Sequence, residues 1–261
     1  KTRRNQKMTD RIRFLLALDG AGAPLVTQCL GAMSDIIVLS RIHPLGLEKI
    51  NPLEQAYKWF GLVTDADIER MKSQTDWPFH EIMQMIAERA EAKNQTLVIA
   101  DWSDLDFIAD KPVNELSGIF LHPTALEARM EPTSVALIRH PVDQWVHLHN
   151  QLGKDAPSVE IFLRGYRRFS DCLDGIETIR FEDFLADPGA VLQTLCQYLD
   201  APFNSDWETG WKDYRFMMGE PAREKPEDEP QVVATEEIIE MFQSNPDFAP
   251  TIEKLGYGNL N

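Results

Sequence analysis

Cationic side chains are scarce in this chain: 26 lysines and arginines stand against 42 acids, a formal net charge of −16. That deficit argues against broad nucleic-acid binding, which draws its affinity from a basic surface that displaces counterions. It also requires any site for an anionic ligand to gather its few cations locally. Cysteine is sparse as well. Cys29, Cys172 and Cys196 lie far apart in apolar patterns, so they read as reduced core residues and not as a disulfide frame or zinc site. No apolar run reaches the roughly 18–20 residues needed to span a bilayer. The basic opening KTRRNQKMTDRIR also lacks the apolar segment of a signal peptide. The expectation is a cytoplasmic protein with no membrane span and no metal.

Apolar residues are plentiful, at 43% of the 261 residues, enough for a sizeable core. They fall into short runs: 12–18 (IRFLLAL), 36–39 (IIVL), 96–100 (TLVIA), 134–138 (SVALI) and 176–181 (IETIRF). Continuous runs of this length suit strands buried on both faces. Helical spacing fills the gaps over 78–93, 158–173 and 188–199, the last opened by Pro188 after Asp187 as cap. Alternating strands and helices predict one α/β domain over residues 12–261, a central parallel sheet of four or five strands flanked by helices. A helical insertion separates the second and third strands. Residues 1–11 read as a basic extension or tag remnant, and 219–231 (GEPAREKPEDEPQ) as a flexible surface loop.

Ligands of open parallel sheets bind beyond the carboxyl ends of the strands. The unusual clusters sit at those ends: DGAGAP after the first strand, SRIHP after the second, DWS after the third and RHP after the fourth. Gly20 to Leu25 form a glycine turn running into a helix, whose N–H groups and dipole can cradle an anion. No Gly-Lys-Ser/Thr follows Gly22, and Leu25 stands where a third glycine of G-x-G-x-x-G would be, so neither a kinase-like P-loop nor a dinucleotide fingerprint is present. Arg139, held beside a proline, offers a planar fork for phosphate oxygens. Its plainer alternative is an ion pair with Asp143. The helix that follows brings His147 to the same side.

The order of these motifs resembles the sulfotransferases that use 3′-phosphoadenosine 5′-phosphosulfate. The match includes the glycine loop, the R-x-P-x-D at the fourth strand end, and IRFEDFLADPGAVLQTLCQYLDAPF, which is similar to that family's Y-E-D-L-x-x-D-P and following helix. EKLGY at 253–257 resembles its finish, while SRIHPLG, NPLEQAYKWFGL and IADWSDLDF look like a bacterial branch. The resemblance implies a P-loop-like three-layer fold. It implies that Gly20, Ala21, Gly22, Ala23, Pro24 and Leu25 cradle the 5′-phosphosulfate, and that Arg139 binds the 3′-phosphate. His147 takes the place of a serine eight residues after that arginine.

Two departures stand out. The family's loop cation is replaced by Gly20 or Ala21, and no cation lies between Arg13 and Arg41. Where the bacterial branch carries S-E-x-H-P, this chain has Ser40-Arg41-Ile42-His43-Pro44. In a rewired site Arg41 supplies the missing charge and His43 or Asp101 acts as base. His43 has the alternative of fixing the turn before Pro44, and Asp101 of capping the next turn. The resemblance thus implies transfer of a sulfuryl group to a hydroxyl or amine on a small molecule or glycan, or else a sulfotransferase-like binding protein with weakened chemistry. Trp59-Phe60 and Trp77-Pro78-Phe79 line an acceptor pocket or belong to the core. His122 and His80 receive no role from sequence.

Overall fold

A computed structural model describes residues 11–73, 77–108, 116–127, 129–218 and 234–258. The expected loop at 219–231 and residues 1–10 of the expected extension lie outside the described residues. Arg11 already belongs to the first strand, one residue ahead of the apolar run that predicts it.

In chain order the elements run β1 (Arg11–Leu16), α1 (Ala23–Gly31), β2 (Ile36–Ile42), α2 (Pro52–Lys58), α3 (Asp65–Ser73) and α4 (Phe79–Ala92). There follow β3 (Thr96–Asp101), α5 (Asp104–Phe107), α6 (Leu121–Leu126), β4 (Glu131–Ile138), α7 (Pro141–Leu152) and α8 (Val159–Asp171). The chain closes with β5 (Glu177–Arg180), α9 (Phe181–Ala186), α10 (Pro188–Tyr198), α11 (Trp207–Gly210), α12 (Glu236–Gln243) and α13 (Phe248–Lys254). The strands form one sheet in the order β2-β3-β1-β4-β5, parallel at every pairing. The helical insertion predicted between the second and third strands is α2 to α4.

Burial on both faces explains the unbroken apolar runs. Ile12, Phe14 and Leu16 of β1 join Ile37, Leu39, Ile99 and Ile138 in one core, which α4 and α8 cover. The opposite set, Leu15, Val38, Val98, Val135 and Leu137, packs against α1 and α10. Arg13 shares that second face and is 6% exposed; its Nε donates to the Leu199 carbonyl at 2.8 Å. The expected cap holds at α10, where Ala190 N–H donates to Asp187 Oδ1 at 3.0 Å. Cys29 and Cys196 are buried and Cys172 is half-buried, all as free thiols, and burial pushes the Cys196 thiol up to about 12. Trp145, Trp207 and Trp211 are core residues, and Phe60, Trp77 and Phe79 pack partly buried against the first core.

β1 lies centrally and its chain leaves toward β2, while the connection from β3 passes over it to β4. The sheet therefore opens a crevice at the carboxyl ends of β1 and β3, where such folds bind ligands.

Candidate functional site

A cleft of about 500 Å³ occupies that crevice. Its walls are the loop after β1, the end of β2 at Ser40 and Arg41, the end of β3 at Ala100 and Asp101, and His147 and Gln151 of α7.

The loop is held in shape by close approach. Gly20 (φ 82°) and Gly22 (φ 89°) both adopt left-handed backbone, which glycine enters without steric cost. A Cβ at Gly20 would come within 2.8 Å of the Gln144 carbonyl oxygen, and one at Gly22 within 2.1 Å of the Phe181 ring. Buried Gln144 donates through Nε2 to the Asp19 carbonyl at 2.8 Å. Ala21 and Leu25 turn their side chains into the core, 1% and 5% exposed. The Ala21 N–H is taken by the Leu18 carbonyl at 3.2 Å, and Pro24 has none. The N–H groups of Gly20, Gly22 and Ala23 are left for an anion, at the start of a nine-residue helix with no acid in its first turn.

Arg41 reaches the cleft through an irregular strand end. The β2–β3 register shifts between Ser40 and Ile42, and Arg41 takes φ 55°, a conformation uncommon for a residue with a Cβ. Its guanidinium lies 4.7 Å from the Trp102 ring centroid and pairs with Asp19 Oδ2 at 2.9 Å. Asp19 N–H in turn donates to the Asp104 carboxylate at 3.0 Å. Burial, and then the negative charge of Asp19, push the Asp104 carboxyl well above the usual carboxylate range.

Asp101 lines the same cleft as Arg41 and is 7% exposed. His122 Nδ1 lies 2.8 Å from Asp101 Oδ1 and 3.1 Å from the Ile42 carbonyl; with two acceptors facing it, that nitrogen carries the proton and donates. Ser103 Oγ donates to Asp101 Oδ2 at 2.7 Å. The carboxylate is fixed from behind on both oxygens.

Outside the glycine loop, His43 and Arg139 are the expected site residues that lie off the cleft. His43 is fully buried: Leu45 N–H donates to its Nδ1 at 3.2 Å, and its Nε2 donates to Asp106 Oδ2 at 3.2 Å. Both nitrogens are committed, Nδ1 to the turn before Pro44, the alternative that sequence leaves open, and Nε2 to Asp106 of α5. Arg139 is 5% exposed, its guanidinium 4.9 Å from the Phe181 ring centroid, and its Nη1 donates to the Gly20 carbonyl at 3.3 Å. It braces the glycine loop from beneath. His147 does line the cleft, with Nε2 at 2.9 Å from Gln151 Nε2. Desolvation, and then the nearby Arg139 charge, lower its pKa below the ordinary imidazole value.

Sequence reasoning gives no role to Gln144 or His122, which lie outside the quoted motifs, and none to Trp102 or Asp104 inside IADWSDLDF, yet all four shape the site. The DWSD run is a sequence signal for this side of the cleft, since it gathers Asp101, Trp102, Ser103 and Asp104 at a strand end. Among the described residues no cluster of three or more His, Cys, Asp or Glu is placed to hold a metal ion, and no helix is long and apolar enough to cross a membrane.

No protein-family model and no curated protein matches the sequence. Solved structures do match. The sulfotransferase domain from the curacin biosynthetic pathway superposes with a TM-score of 0.63 at 17% identity, over 94% of this chain and 97% of its own. The sulfotransferase domain of the Synechococcus PCC 7002 olefin synthase gives 0.64 at 15% identity, over 98% and 97%. A sulfotransferase from Alicyclobacillus acidocaldarius gives 0.51 at 13% identity, over 94% of each chain. Across nearly its whole length the chain therefore has the sulfotransferase fold, as its motif order implies.

Proposed function

We propose that this protein is a sulfotransferase that moves a sulfuryl group from 3′-phosphoadenosine 5′-phosphosulfate to a hydroxyl or amine of a small molecule or glycan. The observation that carries the reading is convergence: in a fold shared with sulfotransferases, the glycine loop, a cation and a fixed carboxylate meet in one cleft at the strand ends. In this reading the acceptor oxygen or nitrogen attacks sulfur in line. The bond from sulfur to the nucleotide phosphate breaks, and its electron pair leaves with 3′,5′-diphosphoadenosine. The acceptor proton passes to Asp101, whose back-side bonds to His122 and Ser103 keep it aimed. Arg41 exchanges Asp19 for the developing charge on the leaving phosphate, and the N–H groups of Gly20, Gly22 and Ala23 hold the phosphosulfate. His147 offers the nucleotide a polar contact, and Arg139 acts through the loop that it braces.

A non-catalytic nucleotide-binding protein is the second reading, favoured by the pairing of Arg41 with Asp19 and by the two carboxylates lining the cleft. Calorimetric titration with 3′,5′-diphosphoadenosine, followed by transfer of labelled sulfuryl to an acceptor library, separates the two. The transferase reading expects micromolar binding, lost in Arg41→Ala. It also expects Asp101→Asn to lower kcat by about 10²- to 10⁴-fold while nucleotide affinity is kept. Binding without transfer to any acceptor supports the second reading, and no binding by the folded wild type sinks both.

A further inference from the structure

Beside the cleft opens a second cavity of about 200 Å³. Met218 lines both, and Gln55 joins them. Gln55 lines the smaller cavity, while its amide clamps the backbone of Ser40, a cleft residue: Ser40 N–H donates to Oε1 at 2.8 Å, and Nε2 donates to the Ser40 carbonyl at 2.7 Å. The two spaces thus share a wall and a rim.

The charges of the smaller cavity are uneven. Lys58 pairs with Glu54 at 2.7 Å, and their charges cancel. Lys49 takes part in no ion pair among the described residues; its ammonium lies 5.9 Å from the Trp102 ring centroid. Arg41 sits over that same indole at 4.7 Å. One tryptophan therefore carries a cation facing each space. The remaining walls include the Trp59 ring and the pliable Met218 side chain, surfaces suited to an apolar or aromatic segment. In a chain of net charge −16, a lysine outside any ion pair among the described residues, next to a cleft, stands out.

We propose that this cavity receives the far end of the acceptor, and that this end is an oxyanion, a carboxylate or phosphate, bound by Lys49. An apolar spacer then crosses Met218 beside Trp59 and brings the reacting hydroxyl or amine to Asp101. The placement of the reacting end rests on the transferase reading; the oxyanion site stands on the cavity itself.

The test titrates the full chain, with and without 3′,5′-diphosphoadenosine, against ω-hydroxycarboxylates of graded length, matching hydroxyalkyl phosphates and matching primary amides. At one chain length an oxyanion should bind about fivefold tighter than its amide, the effect of one partly exposed ion pair. Lys49→Ala should erase that preference and Lys49→Glu reverse it, with diphosphoadenosine affinity unchanged in both. Whichever oxyanion binds tighter identifies the acceptor's terminal group. Equal binding of oxyanion and amide at every length overturns the proposal, as does a preference that survives Lys49→Glu. Failure of the transferase reading has a separate signature: diphosphoadenosine does not bind, while a Lys49-dependent oxyanion preference still upholds the cavity as an anion site.

Discussion

Gly22 joins two constraints at one atom, because its backbone is left-handed and its α-hydrogen faces the Phe181 ring. Gly22→Ala should cost about 1–2 kcal/mol for the backbone alone, with the ring clash added. In a protein of this size each kcal/mol lowers Tm by about 2–4 °C. The same variant should weaken diphosphoadenosine binding, since the loop's N–H groups lose their aim; a melt and a titration check both. His147 gives a pH prediction. Its lowered pKa keeps the ring neutral near pH 7, and a bound phosphate favours the protonated form. Nucleotide affinity should therefore rise as pH falls below about 6.5, and His147→Gln should flatten the profile. An unchanged slope in that variant would assign the pH effect to another group.

At the scale of elements, Glu182 joins three parts of the chain that sequence motifs present separately. From the start of α9 its Oε1 accepts from His140 N–H at 2.7 Å, at the turn after β4. Its Oε2 accepts from the Tyr257 hydroxyl at 2.8 Å, and Arg180 stacks 4.6 Å from that ring's centroid. The FED run, the RHP turn and the closing LGY are thus one tie. Glu182→Ala should lower unfolding free energy by about 3–6 kcal/mol, since its two bonds to a charged acceptor each contribute about 1.5–3 kcal/mol. Tyr257→Phe should cost less; urea melts at matched pH compare them. Elements of this kind were readable in the chain because strands buried on both faces leave unbroken apolar runs and α10 announces itself with Asp187-Pro188. Side-chain direction at the strand ends was not. The His43 partner lies 63 residues away at Asp106, so nothing local tells a turn-fixing histidine from a base. Arg139 turns beneath the loop because Phe181 and the Gly20 carbonyl await it there, contacts made across β-strands. Arg41 enters the cleft through a register shift that hydropathy does not encode.

At the scale of the whole molecule, the charge balance sets the approach of any anionic nucleotide. A formal charge of −16 repels the donor at long range, whereas Arg41 and the loop N–H groups attract it only within the cleft. Salt separates the two, because the screening length falls from about 30 Å at 0.01 M to about 8 Å at 0.15 M. Screening the distant acids removes the repulsion that slows encounter, and leaves contacts inside the cleft less affected. The association rate of diphosphoadenosine should therefore rise with salt over that range, on the order of threefold to tenfold. Proteins that steer anions with a basic surface show the opposite sign. Stopped-flow tryptophan fluorescence, with Trp102 beneath Arg41 as a natural reporter, measures the rate directly. A rate that falls with salt would show that the local field of Arg41 outweighs the acidic surface at the distance where encounter is decided.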